Sequence, residues 1–236
     1  MIDTSDFLRY SRQMALDSIG VEGQLLIKNA KVLVIGAGGL GSPILTYLAT
    51  CGVGNLAVVD FDVIEEHNLH RQILFTPKNI GIAKTAIAKQ QIHKLNPNIV
   101  FTAYNEKLTI ENIENLFRNY DYIIDGSDNF QTRYLVNDYC VKLNKTLIYG
   151  TILGFQGQLA VFNHNKSKNL RDLFPEPPNE SDVPNCSLNG VLGTFPGVIG
   201  TMMAQEALKV IIGLPHLTNQ LLIIDTLHWE VQKLSF

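Results

Sequence analysis

Cysteine is scarce in this 236-residue chain, and the three present, Cys51, Cys140 and Cys186, are widely spaced and odd in number. That excludes a disulfide framework and fits a reduced, cytoplasmic protein. An excess of basic residues is missing too: Lys+Arg 19 against Asp+Glu 22 gives a formal net charge of -3. Nucleic acid and anionic membrane surfaces are therefore not the expected partners. No apolar run reaches the ~18 residues of a membrane-spanning candidate. The opening residues Met1-Ile2-Asp3-Thr4-Ser5-Asp6 do not form a basic and then apolar leader. Tandem repeats and low-complexity tracts are absent. What remains is a chain long enough for one large α/β domain with a substantial core.

The most informative stretch present is Gly36-Ala37-Gly38-Gly39-Leu40-Gly41. It follows the apolar run Val32–Ile35 and precedes a helical segment, Ser42 to Thr50. A second apolar run, Leu56 to Val59, ends in Asp60. Strand, glycine turn, helix, strand and acid is the order of a nucleotide-binding βαβ unit. The turn lets backbone N–H groups approach a phosphate at a helix N-terminus. The acid accepts from a ribose hydroxyl. An adenine nucleotide is expected, with Gly36, Gly38, Gly39, Gly41 and Asp60 around it. Dinucleotide and ATP both fit this unit.

Further along, Phe7 to Ile19 and Leu25 to Asn29 read as helices of an N-terminal arm, residues 1–29. Helices are also expected at Ile82–Leu95, ending at Asn96-Pro97, and at Thr109–Phe117, with Thr109 as N-cap and Asn112 as N3. Ile99–Tyr104 and Tyr122–Asp125 read as strands, followed by a helix at Phe130–Lys142 and a strand at Leu147–Thr151. Beyond it, Gln158–Asn163, Leu221–Asp225 and His228–Leu234 read as strands without helical crossovers. The Pro-rich acidic stretch Phe174–Glu180 marks a mobile loop, taken to span 169–190. A small-residue helix, Gly197 to Ile212, follows with Gly213 as C-cap. The expected architecture is Rossmann-like: a doubly wound, mostly parallel sheet with antiparallel C-terminal strands, in one domain over residues 1–236.

Charge near the expected nucleotide favours ATP. Asp60-Phe61-Asp62, Asn68-Leu69-His70-Arg71-Gln72 and Lys84 follow the second strand. A hydride-transfer enzyme needs little positive charge beside a pyrophosphate diester. An adenylating enzyme must stabilise a departing pyrophosphate, and cations such as Arg71 and Lys84 do that. Taken singly, Arg71 reads equally as a surface ion pair with Glu65 or Glu66, and Lys84 as a solvated helix residue. Asp128, in Asp125-Gly126-Ser127-Asp128-Asn129, reads either as a Mg²⁺ ligand or as the N-cap of the next helix.

Together with Arg9-Tyr10-Ser11-Arg12-Gln13 and Gly190-Val191-Leu192-Gly193, these motifs resemble the ThiF/MoeB/HesA family, relatives of ubiquitin-activating enzymes. The resemblance runs from Arg9 to about Asp225. It implies ATP-dependent adenylation of the C-terminal glycine of a ubiquitin-like sulfur-carrier protein, in thiamine or molybdopterin biosynthesis. It implies that Asp60 and Asp62 lie in the nucleotide site. Asn68, Arg71 and Lys84 would contact phosphates, with Gln72 nearby. Asp128 would serve Mg²⁺, and Arg12 would reach into a partner subunit's site in a homodimer. Cys186, in Pro184-Asn185-Cys186-Ser187, resembles the position of the family's reactive cysteine; a free packed thiol is the alternative.

The chain departs from the family at its structural zinc. The first Cys-x-x-Cys pair would fall at Asn169-Leu170-Arg171-Asp172, where no cysteine stands. No structural zinc is expected. Other readings remain: a tRNA-modifying dehydratase of the same superfamily, disfavoured by the missing basic patch; an NAD-dependent oxidoreductase, disfavoured by Arg71, Lys84 and Asp128; and a non-catalytic nucleotide sensor.

Overall fold

Strand-forming residues are concentrated in the short apolar runs β1 Lys31–Ile35, β2 Asn55–Asp60, β3 Val100–Asn105, β4 Tyr122–Asp125 and β5 Thr146–Leu153. In β1, β2, β4 and the first half of β5 the side chains are buried on both faces of the sheet, which suits parallel pairing, whereas edge strand β3 is only half-buried. The computed structural model describes residues 2–178 and 190–236; Cys186 and the readings at 179–189 lie outside the described residues. Three further strands follow, β6 Gln156–Phe162, β7 Gln220–Asp225 and β8 Glu230–Ser235. All eight form one sheet in the order β3-β2-β1-β4-β5-β6-β7-β8. β1 pairs parallel with β2 and β4, and β2–β3 and β4–β5 are also parallel. From β5 onward each pairing is antiparallel. The mixed Rossmann-like sheet expected from the sequence is therefore present.

The helices are α1 Thr4–Met14, α2 Gly20–Asn29, α3 Gly41–Thr50, α4 Lys84–Leu95, α5 Ile113–Phe117, α6 Phe130–Leu143, α7 Leu170–Leu173 and α8 Thr194–Ile212. Strand alternation sorts the core into two layers. Val32, Val34, Leu56, Val58, Ile124 and Ile148 face α3, α4 and α8. Leu33, Ile35, Ala57, Val59, Ile123 and Leu147 face α5 and α6. The chain leaves β1 toward β2 and β3 on one side and returns to place β4 on the other. The switch point therefore lies between the carboxyl ends of β1 and β4, where doubly wound sheets bind ligands.

Several expectations need correction. α1 begins at Thr4, because Asp3 caps it reciprocally with Asp6, and it ends at Met14, well before Ile19. α5 begins at Ile113, not Thr109. The Asn112 side chain accepts from Thr109 N at 2.8 Å and donates to Glu106 and Lys107, so it closes a turn ahead of the helix. The segment taken as a loop over 169–190 starts with helix α7, which is capped by Asn169 and Asp172. At 19 residues α8 is long and apolar enough by length and composition to cross a membrane, which the run-length reading missed. It packs into the core instead: Phe195, Ile199, Met203, Ala204 and Ala207 are fully or nearly buried. Gly213 caps it as expected.

Candidate active site

The glycine turn is built by backbone contacts that exclude a side chain. A Cβ on Gly41 would lie 2.0 Å from the Gly36 carbonyl oxygen, and Gly36 itself has φ +88°. Gly36 N donates to Val59 O and Gly126 N to Ile35 O, both at 2.9 Å, so the turns after β1 and β4 are locked to neighbouring strand ends. The amides of Gly38, Gly39 and Leu40 find no backbone acceptor among the described residues. They precede α3, so the turn presents orphan N–H groups at a helix N-terminus, a ready anion site.

Asp60 closes β2 beside this turn. One carboxylate oxygen accepts from Ala37 N at 2.7 Å and the other from Asp62 N at 2.8 Å. Burial pushes its carboxyl above the ordinary range, opposed by those two amides and by Lys84. Each oxygen keeps a further lone pair for a hydroxyl donor.

Lys84 overturns the solvated-helix reading. It is only 5% exposed, and its ammonium sits 2.7 Å from an Asp62 carboxylate whose side chain is 48% exposed. The two partners differ in what release would cost them. An unpaired buried ammonium is penalised heavily, whereas a half-exposed carboxylate is rehydrated at little loss. Of the pair, Asp62 is the partner that can be given up at the lower cost.

Arg71 is exposed at its fork but anchored, donating from Nη1 to His67 O at 2.8 Å. Among the described residues no carboxylate lies within ion-pair distance of it, so the Glu65 or Glu66 pairing does not form; Glu65 meets His67 instead. A Cβ on Gly39 would lie 3.6 Å from Arg71 Cδ, which sets this arginine against the glycine turn. Asn68 is buried and accepts from Glu65 N at 3.3 Å. Gln72 is buried as well; its Nε2 faces Gly38 and its Oε1 has no partner.

Asp128 is exposed at the carboxyl edge of β4. It does not cap α6. The N-cap is Asn129, whose side chain accepts from Thr132 N at 2.9 Å. Among the described residues the Asp128 carboxylate makes one hydrogen bond, a marginal 3.5 Å contact with Asn129 Nδ2. Such a carboxylate fits Mg²⁺, which takes most of its ligands from phosphate and water. No three His, Cys, Asp or Glu side chains gather into an all-protein metal site among the described residues.

Beneath this loop lie groups that the sequence reading did not single out. Asp125 is fully buried; Oδ1 accepts from Ser127 N at 2.9 Å while Oδ2 has no partner. Burial raises its carboxyl, opposed first by Arg133. Arg133 is 7% exposed, donates to Ser127 O at 3.2 Å and lies over the rings of Phe130 and Tyr149. A cation in the first turn of a helix opposes the macrodipole, and that misplacement was the one available sequence signal.

Arg12 is not brought to this site within its own chain. It ends α1, whose Tyr10 and Gln13 pack on the far end of α3: Gln13 Nε2 donates to Cys51 O at 3.2 Å, and Asn96 joins Tyr10 to Ala49. The glycine turn is at the opposite end of that helix. Cys140 is buried, with its thiol pushed well up by burial, and Cys51 is half-buried at the end of α3. Neither stands among the site residues.

The sheet, its switch point and the glycine turn define a Rossmann-like α/β domain. The ThiF family model matches residues 10–236, and the chain belongs to that family. The sulfur carrier protein adenylyltransferase of Thermus thermophilus is 46% identical over 233 residues, covering 96% of this chain and 86% of the relative. The adenylyltransferase and sulfurtransferase MOCS3 of Xenopus laevis is 45% identical, and the match covers 98% of this chain. The probable adenylyltransferase/sulfurtransferase MoeZ of Mycobacterium tuberculosis is 42% identical. The chain spans 51% of that MOCS3 and 61% of MoeZ. Among solved structures, E. coli MccB with ATP superposes at TM-score 0.84 with 23% identity, covering 96% of this chain and 71% of that one, a likeness of fold.

Proposed function

We propose that this protein adenylates the C-terminal carboxylate of a ubiquitin-like sulfur-carrier protein, using ATP. One observation carries the reading. Orphan amides of the glycine turn, the Asp60 carboxylate, Arg71 and buried Lys84 converge at one switch point, with exposed Asp128 across from them. The names of the Thermus and Mycobacterium relatives support it. The carrier would belong to thiamine or molybdopterin biosynthesis, as the family resemblance implies.

In this reading Asp60 holds the ribose, and the Gly38–Leu40 amides hold phosphate. The carrier carboxylate attacks the α-phosphorus: a carboxylate oxygen–phosphorus bond forms and the bond to the β-phosphate oxygen breaks. Acyl adenylate and pyrophosphate result. No proton need move, because the carboxylate is already ionised near neutral pH. Lys84 and Arg71 stabilise charge on the leaving group, and catalysis is positioning plus electrostatics. Mg²⁺ beside Asp128 would supply further charge neutralisation on the phosphates. By the family resemblance, Arg12 would complete the partner subunit's site in a homodimer.

A surface suited to a protein substrate lies on the same edge of the sheet. The β5–β6 and β7–β8 hairpin tips adjoin there through Thr226 N and Phe155 O, 3.0 Å apart. They expose Leu153, Phe155, Leu227, Val231 and Trp229, the last at 81%. Large exposed aromatics beside apolar neighbours anchor protein interfaces.

The test is Mg²⁺-dependent ATP–pyrophosphate exchange driven by thiamine-type and molybdopterin-type carriers ending in Gly-Gly. Exchange with either is the expected result. Trp229→Glu should raise the carrier KM by about tenfold or more while leaving the ATP KM unchanged. ATP binding without exchange would leave a nucleotide sensor; NADH binding without ATP binding would restore the oxidoreductase.

A further inference from the structure

The segment where the family's first zinc-binding pair would stand is occupied by a different device. Asn169, Leu170, Arg171 and Asp172 offer no thiolate, and their polar groups are already engaged. Arg171 grips Asp138 of α6 with two parallel bonds, Nε to Oδ1 at 2.7 Å and Nη2 to Oδ2 at 2.9 Å. Its guanidinium lies 4.9 Å from the centre of the Tyr134 ring, and Nη1 donates to Pro175 O at 2.8 Å. The Tyr134 hydroxyl meets the two flanking carbonyls, Phe174 O at 3.0 Å and Glu176 O at 2.8 Å. Buried Asn137 accepts from Leu170 N at 2.9 Å and donates to Asn169 Oδ1 at 3.3 Å. Asp172 Oδ2 accepts from the Asn169 backbone and side-chain amides.

This constellation does not fit a zinc ion. A fixed guanidinium charge stands at its centre, forked onto Asp138 and 3.8 Å from Glu176, no thiolate is present, and the neighbouring Asn169 and Asn137 offer only amides. It does fit a clamp. Tyr134, Asn137 and Asp138 fall at i, i+3 and i+4 on one face of α6. Three consecutive carbonyls, Phe174 to Glu176, are held by two side chains, which fixes the direction in which the chain leaves α7. Bidentate arginine–carboxylate pairs are among the strongest and most directional of polar contacts. Tyr134 comes five residues after the Asn129 cap, about 7.5 Å along the helix axis. The held carbonyls thus flank the first half of the helix whose entry carries Ser127 and Asp128.

We infer that Arg171 is a positioning residue: with Asp138, Tyr134 and Asn137 it forms a metal-independent clamp that sets the chain path leaving α7 relative to Asp128. Its effect on turnover rests on the adenylation reading; its structural part does not.

The test compares wild type, Arg171→Met, Asp138→Asn and the milder Arg171→Lys, which keeps the charge and loses the fork. Amide hydrogen exchange of the peptide covering 169–176 is followed with and without a strong zinc chelator. Wild-type protection should be indifferent to chelator, and Arg171→Met and Asp138→Asn should each lose about tenfold of it. Arg171→Lys, expected to fold normally, should lose part of it. In exchange assays the KM for the acyl-group substrate should rise while the ATP KM and kcat hold, the pattern of a misplaced wall and not of lost chemistry. Chelator-sensitive protection with stoichiometric zinc release would overturn the inference. Unchanged protection in both Arg171 variants would overturn it too. Absence of wild-type exchange would sink the adenylation reading and leave the protection result standing.

Discussion

Asp128→Ala is expected to reduce carrier-dependent pyrophosphate exchange by about 10²–10³-fold or more, the loss seen when a preorganised electrostatic contact to a transition state is removed. Folding should be nearly untouched. The side chain is exposed and its one hydrogen bond among the described residues, to Asn129, is at the 3.5 Å limit; substitutions at such sites stay within about 0.5 kcal/mol. Asn129→Ala gives the reverse result, because it removes the side chain that caps α6 through Thr132 N. It should lose about 1 kcal/mol of stability and keep most of its activity. Thermal melts and exchange rates on the two variants separate a metal and phosphate role from a capping role, which the sequence left open for Asp128. Wild-type turnover in Asp128→Ala would refute the assignment.

The parts of the site that were legible from the sequence are those encoded locally. Strand, glycine turn, helix and terminal acid follow one another within Val32–Asp60, and the turn chemistry admits few alternatives. The eight strands were also read on local grounds, from short apolar or β-branched runs bounded by turn residues and, at His228–Leu234, from alternation. What escaped depends on partners far away in sequence. The sequence singles out Lys84 as a phosphate-contacting cation, with a solvated helix residue as the alternative, but its burial and its cover by Asp62, at the other end of a long connection, are not legible there. Helix α7 was hidden in a loop-like composition because its stability comes from Asn137, Asp138 and Tyr134 of α6. Thr109 lost its cap role to Asn112, since one amide reaching back to the Thr109 N–H converts a first turn into a closed loop. Arg133 and Asp125 form a buried layer under the Ser127–Asn129 turn, and no periodicity marks such a layer. Arg12 is a different case: it lies on a helix, as the sequence suggested, and its proposed reach to a nucleotide would require a second subunit.

Gly41→Ala is expected to be the most disruptive single methyl addition in the site. The new Cβ would sit 2.0 Å from Gly36 O, and that oxygen belongs to a backbone which the Gly36 N to Val59 O bond already ties to β2. No rotamer change relieves a clash between two main-chain groups, so the turn must open or α3 must shift away from β1. Overpacking in a rigid setting costs about 1–3 kcal/mol and sometimes more, and here the deformation also displaces the orphan amides. Apo stability and the ATP-induced rise in Tm should both fall, the second to near zero. Gly38→Ala makes the informative contrast. Its Cβ would meet only Gln72 Nε2, at an ordinary 3.7 Å, so the apo protein should melt as wild type. If phosphate lies against Gly38, the ATP-induced shift should still shrink, because the methyl occupies the space the ligand needs and nothing else. A Gly41→Ala protein with wild-type Tm and ATP response would mean that the turn is not the rigid cradle described above. Equal behaviour of the two variants would mean that close approach to ligand and close packing of strand on helix are not separate duties of these glycines.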